Sequence, residues 1–207
     1  MKVLLVNGSP HEKGCTYTAL CEIADTLRDN GIDSEIFWIG TKTISGCIAC
    51  LKCNELGQCV FDDAVNRCAE LAAEADGFVF GSPVHFASAG GAFTAFMDRL
   101  FYSEKKGSFY LKPAAAIASA RRAGTTATID QLNKYFMIKQ MPIVSSTYWN
   151  MVHGSTPDDV KQDLEGMLTM RNLARNMAWL LKCKEAGANA GVELPEREAP
   201  VRTNFIR

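Results

Sequence analysis

The 207-residue chain has no run approaching the roughly 20 consecutive apolar residues of a membrane-spanning helix. It also lacks an excess of charge of either sign. Twenty-two Lys and Arg against 23 Asp and Glu leave a formal net charge of −1, so no strong field draws it to nucleic acid or an anionic membrane. Two nucleotide signatures are missing as well. Without G-x-x-x-x-G-K-[ST] there is no triphosphate P-loop, and without G-x-G-x-x-G no dinucleotide is held in Rossmann fashion. No linker, internal repeat or low-complexity block divides the chain. The apolar run Val3 to Val6 ends at Gly8-Ser9-Pro10, where the core of a signal peptide would continue. The start therefore reads as a strand, and the expected location is cytoplasmic.

What is present is an alternation of short apolar runs and longer segments of helical period, the pattern of a doubly wound parallel sheet. Strands are expected at Val3 to Val6, Glu35 to Ile39, Gly77 to Phe80, Ala114 to Ser119 and Pro142 to Ser146. Helices are expected at Thr16 to Asp29, Asp62 to Ala75, Gly90 to Tyr102 and Thr126 to Lys139. A last helix starts at Thr156-Pro157-Asp158-Asp159, with Thr as N-cap, Pro at the first position and acids in the first turn. It is expected to stop near Gly187. One α/β domain over 1–187 and a polar extension over 188–207 are the economical division. The sheet is expected to hold five parallel strands in the order 2-1-3-4-5, as the centre of a three-layer sandwich.

Directly after the first strand stands Gly8-Ser9-Pro10-His11-Glu12-Lys13-Gly14-Cys15-Thr16, and then a helix begins. A loop at the carboxyl end of a central strand, feeding a helix N-terminus, is where open α/β sheets bind anions. Ser9, Thr16 and Thr18 add hydroxyls to the backbone N–H groups of Gly14 and Cys15, with Pro10 shaping the turn. A turn that merely caps the helix is the alternative. Two further loops follow the third and fourth strands. Gly81-Ser82-Pro83-Val84-His85-Phe86 offers a stiff, apolar and aromatic surface to a planar ring, with small residues through Gly91 for close approach. His85 there is either a ring contact or an acid/base group. Arg121-Arg122-Ala123-Gly124-Thr125 can face a developing negative charge or be a solvated basic turn. Tyr148 and Trp149 suit a substrate pocket, the core or a subunit interface equally.

Of eight cysteines, Cys15, Cys21, Cys68 and Cys183 are scattered, and the three on expected helices, Cys21, Cys68 and Cys183, are expected to be small, buried or half-buried hydrophobes. Cys47, Cys50, Cys53 and Cys59 form a C-x2-C-x2-C-x5-C cluster between Gly46 and Val60. Its first three cysteines are spaced like the opening of a ferredoxin cluster run, although no Pro follows the fourth. A [4Fe-4S] cluster, free thiols and a four-cysteine zinc site all remain open on this spacing.

The two Gly-Ser-Pro loops and the arginine loop resemble the NADPH-dependent FMN reductase branch of flavodoxin-like proteins over at least Met1 to His153. His85 stands where related sequences commonly have Tyr. The cysteine cluster resembles the compact motif of the iron-sulfur flavoproteins of the same branch. That resemblance implies FMN, with its phosphate at Ser9 to Thr18 and its ring against Pro83 to Phe86 and Arg121 to Thr125. It also implies NAD(P)H as co-substrate, an acceptor that is a small molecule or a protein, and a [4Fe-4S] cluster on the four cysteines. A homodimer or homotetramer is expected, supported by an apolar Phe93, Phe96 and Phe101 face. An electron carrier without its own substrate is the rival function, and the near-zero net charge speaks against it.

Overall fold

The computed structural model describes residues 1–199 together with Val201, Thr203 and Phe205. Strands that are apolar throughout need cover on both faces, and the layers provide it. β1 (Lys2–Asn7) sends Leu4 and Val6 into one core and Val3 and Leu5 into the other. β3 (Gly77–His85) and β5 (Ala114–Ala120) divide their side chains in the same way. On one face lie α3 (Ala64–Glu74), α4 (Gly91–Ser103) and α5 (Thr125–Ile138). On the other lie α1 (Cys15–Asp29) and α7 (Leu164–Asn189). With β2 (Asp33–Trp38) and β6 (Met151–His153), the sheet runs β2-β1-β3-β5-β6. Every neighbour on this path is parallel, while β4 (Ser88–Ala89) turns back antiparallel on β3. Counted without that hairpin, this is the expected doubly wound order.

Five details differ from the sequence reading. The fifth strand is not Pro142 to Ser146, which makes only an isolated bridge, Ile143 to Ala114. Pro142 has no N–H to give to a ladder, and regular pairing resumes only at Met151. The last helix is broken at Asp163, which separates α6 (Pro157–Gln162) from α7. The expected Thr156 cap is present as a capping box with Asp159. α7 passes through Gly187 to Asn189, and the left-handed glycine after it is Gly191, at φ +85°. Phe93, Phe96 and Phe101 face the core, at 0–4 % exposure, so they offer no interface. Of the scattered cysteines, Cys68 is buried, Cys15 and Cys21 are half-buried and Cys183 is exposed. Pro200, Arg202, Asn204, Ile206 and Arg207 of the expected extension lie outside the described residues. No helix among the described residues is long and apolar enough to cross a membrane.

Candidate functional site

The three loops leave the carboxyl edge of the sheet together. β1 ends on Asn7, fully buried, whose Oδ1 accepts the Ser9 N–H at 3.0 Å and whose Nδ2 donates to the Glu12 carbonyl at 2.9 Å. Ser9 Oγ accepts the His11 N–H at 3.1 Å, and the Ser9 carbonyl accepts Trp38 Nε1–H at 2.8 Å. These local bonds, of the kind Asn and Ser side chains favour, hold the loop's shape. α1 then starts behind Gly14, an N-cap with no side chain to accept an N–H. The first helical bond runs from Thr18 N–H to the Gly14 carbonyl at 3.0 Å. The N–H groups of Cys15, Thr16 and Tyr17 thus have no intrahelical acceptor, and they sit at the positive end of the helix dipole. No acidic residue stands in the first turn. Burial raises the Cys15 thiol above its ordinary pKa, so it adds no negative charge beside them. Ser9 and Thr16 are buried, whereas Pro10 is exposed. Thr16 Oγ1 lies 2.8 Å from Ser119 Oγ, which ties the first loop to the third. The Thr18 hydroxyl is used within the helix, donating to the Gly14 carbonyl at 3.1 Å.

In the second loop, β3 and β4 close over Phe86 and Ala87, at φ +50° and +57°. Two left-handed central residues make a tight mirror-image hairpin turn, strained when neither is glycine. Gln131 on α5 supports it: its Oε1 accepts Ser88 Oγ–H at 2.7 Å and Ala89 N–H at 3.0 Å. Phe86 and His85 are left exposed, while Pro83 and Val84 are half-buried. The third loop touches the second at Gly124, where φ is +93°. A Cβ there would stand 2.7 Å from Ala87 Cα and 2.8 Å from Val84 Cγ1. Arg121 and Arg122 are exposed, and Thr125 is buried with its hydroxyl on Met151 Sδ at 3.1 Å. Gly124→Ala is expected to lower stability by about 2 kcal/mol, from left-handed strain and overpacking. Urea titration checks this, and an unchanged midpoint would mean that the two loops do not press on one another.

The cysteine segment is a surface excursion ahead of α3. Ala49 and Leu51 are left-handed, at φ +52° and +59°, and the short α2 (Cys53–Leu56) ends on left-handed Gly57. Cys47 and Cys50 are exposed, Cys59 is half-buried and Cys53 is buried, yet all four line one small cavity. Beneath it lies Arg99 of α4, its side chain 1 % exposed. Arg99 Nε donates to Cys59 Sγ at 3.2 Å, and its terminal nitrogens reach Asp63 at 2.7 and 3.0 Å. Burial opposes the guanidinium charge, but the hydrogen bonds to Asp63 and Cys59 outweigh it, and the Arg99 pKa lies above its ordinary value. Among the described residues no three His, Cys, Asp or Glu gather closely enough to hold a single metal ion. The constellation a zinc ion needs, ligands about 2.3 Å from one centre, is therefore not formed.

The family model for NADPH-dependent FMN reductase matches residues 1–156. The chain belongs to that family. This FMN reductase family member is 31% identical over 191 residues to an iron-sulfur flavoprotein of Methanocaldococcus jannaschii, covering 88% of this chain and 98% of the relative. It is 25% identical over 198 residues to an iron-sulfur flavoprotein of Archaeoglobus fulgidus, covering 87% and 97%. Among solved structures, RosB with a bound flavin-phosphate intermediate superposes with a TM-score of 0.71 at 14% identity, over 100% of this chain and 92% of RosB. A WrbA-like flavodoxin from Agrobacterium tumefaciens gives a TM-score of 0.60 at 15% identity, over 88% and 96%. Both likenesses show the flavodoxin-like fold.

Several residues of this FMN reductase family member gain a role only in three dimensions. Asn7 closes the first strand with a polar side chain after four apolar residues, a signal that sequence inspection can find. Lys42, from the segment after β2, lines a cavity with Gly8, Pro10, His85 and Phe93. His153 Nε2 lies 3.1 Å from the Arg122 carbonyl and so steadies the third loop.

Proposed function

We propose that the chain is an FMN-dependent oxidoreductase that takes electrons from NAD(P)H and passes them to a small-molecule or protein acceptor. In this reading a [4Fe-4S] cluster on Cys47, Cys50, Cys53 and Cys59 serves as the second redox group. The observation that carries it is the row of acceptor-free N–H groups at Cys15, Thr16 and Tyr17, behind a loop prefolded by Asn7 and Ser9. Such a helix start suits a compact dianion better than a planar ring or a sugar. Bound there, FMN supplies hydride acceptance and onward electron transfer. The protein's part is placement. Ser9 and the N–H groups hold the phosphate, Pro83, Val84, His85 and Phe86 form the ring platform, and Arg121, Arg122, Gly124 and Thr125 edge it with positive charge and N–H donors. His85 and Phe86 are exposed, so water is excluded only once something covers them.

The cluster reading is supported by four thiols around one cavity whose other lining is chiefly apolar, including Ile48, Leu51, Val60 and Phe61. Anaerobic reconstitution with FMN, iron and sulfide tests both halves. The expected product is brown, carries about four irons and one FMN per chain, and oxidises NADH or NADPH. A yellow, iron-free protein rejects the cluster alone, and a protein that retains no flavin rejects the whole assignment.

A further inference from the structure

Arg99 and Ser103 stand one helical turn apart on α4, so their side chains share a face. Both line the cysteine cavity. Arg99 already donates Nε–H to Cys59 Sγ at 3.2 Å. Ser103 is 3% exposed, and its Oγ is buried with no hydrogen-bond partner. A buried hydroxyl without an acceptor costs about 1–3 kcal/mol, so its position calls for an explanation. Among the side chains lining the cysteine cavity, the acceptors are the cysteine sulfurs and the exposed Tyr102 hydroxyl; a neighbouring cavity that Ser103 also lines offers Gln58, Asn66, Glu70 and Glu104, none of which its hydroxyl bonds.

We propose that Arg99 and Ser103 form a donor pair that sets the reduction potential of a cluster held in this cavity. Arg99 acts on the Cys59 sulfur and Ser103 on a sulfur that the bound cluster brings within its reach. The proposal rests on the cluster reading above. Its physical basis is that N–H and O–H donors to cluster sulfurs favour the form carrying one more electron, and so raise the potential. Asp63 neutralises much of the guanidinium charge, with Asp63 Oδ2 2.7 Å from its nearest nitrogen. Arg99 therefore acts chiefly through the directed Nε–H rather than through net charge. Both are positioning residues, since neither would be a ligand.

The test is a dithionite titration of the anaerobically reconstituted full chain, in which each cluster takes up one electron, followed by electron paramagnetic resonance, with iron and flavin assayed on the same samples. Ser103→Ala is expected to lower the equilibrium constant for cluster reduction about fivefold, the weight of one hydrogen bond. Arg99→Lys keeps the charge opposite Asp63 but loses the Nε–H, and should lower it about tenfold, or about 59 mV for one electron. Full iron content and an unmoved flavin potential should accompany both shifts, which a merely structural role would not produce. Should both variants load iron and titrate like the wild type, the donor pair is wrong and the cluster stands. Should the wild type itself take up no iron, the cluster reading falls and the donor pair with it.

Discussion

Arg99→Ala is expected to lower the free energy of unfolding by about 3–5 kcal/mol, the usual consequence of removing one partner of a buried ion pair. Arg99 is the largest charged side chain that this core encloses, 1% exposed among Phe93, Phe96, Met97 and Leu100 on its own helix. Its guanidinium reaches the Ser45 carbonyl at 3.3 Å, the Phe61 carbonyl at 3.3 Å and both Asp63 oxygens, and it lies 4.9 Å from the centre of the Phe61 ring. It therefore fastens both ends of the cysteine segment to the domain. Truncation leaves a carboxylate without its cation and a cavity in place of the side chain, while the exposed Ser45 carbonyl can turn to water and the Phe61 carbonyl keeps Asn66 Nδ2–H at 3.2 Å. Two effects limit the loss. The desolvation of the charge disappears with it, and the Asp63 side chain, 29% exposed, can recover some water. Asp63 also keeps its second task, accepting the Val65 N–H at 3.0 Å as N-cap of α3. Against a total of about 5–15 kcal/mol for a domain, the urea midpoint should fall by about a fifth or more with unchanged slope. A drop below about 1 kcal/mol would show that the pair contributes no more than an exposed one.

Arg99 also marks where sequence reading stops. A cation among apolar residues at helical spacing announces that a partner is needed, but Cys59 and Asp63 lie 40 and 36 positions upstream. Nothing local points to them. The central strands were legible because full burial on two faces leaves a continuous apolar signature, as at Val3 to Val6 and Ala114 to Ala118. The edge was not. Ile143 and Val144 look like strand residues, yet the segment exchanges only two bonds with Ala114, the Ala114 N–H to the Pro142 carbonyl at 2.9 Å and the Val144 N–H to the Ala114 carbonyl at 2.8 Å, and then departs. The true strand, Met151–His153, is too short to show a period. The break at Asp163 is equally silent in sequence, because it depends on one carboxylate serving the Gly166 N–H at 2.9 Å and the His153 N–H at 2.7 Å. Helix starts fared better, since Thr156-Pro157-Asp158-Asp159 carries its cap within four residues. The candidate site divides along the same line. The loop positions followed from the order of elements, whereas the contacts that join the loops, Thr16 with Ser119 and Gly124 with Ala87, bridge distant segments.

Riboflavin, which lacks only the phosphate of FMN, should bind at least 100-fold more weakly than FMN. The expectation follows from what the first loop offers. Three N–H groups of α1 have no intrahelical acceptor, and a hydrogen bond to a charged group contributes about 1.5–3 kcal/mol each. Two such bonds already exceed the 2.7 kcal/mol of a 100-fold ratio. No cationic side chain is needed, and the donors are fixed by Asn7 and Ser9 before any ligand arrives, so little ordering cost offsets the gain. Two signatures separate this mechanism from simple attraction to exposed lysines such as Lys13 or Lys42. The preference should change little between low and moderate salt, because aligned N–H contacts at a partly buried helix end are weakly screened. It should also narrow as pH falls below about 6, where the phosphate monoester dianion takes up a proton and becomes a monoanion. The sign is fixed: the ligand charge that the N–H row favours is present above that pH and reduced below it. Isothermal titration with both flavins across pH and salt decides the matter. Affinities within threefold of one another would remove the phosphate from the Gly8 to Thr16 loop and leave the helix start as a structural turn. A preference that collapses with salt would move the recognition to the surface lysines instead.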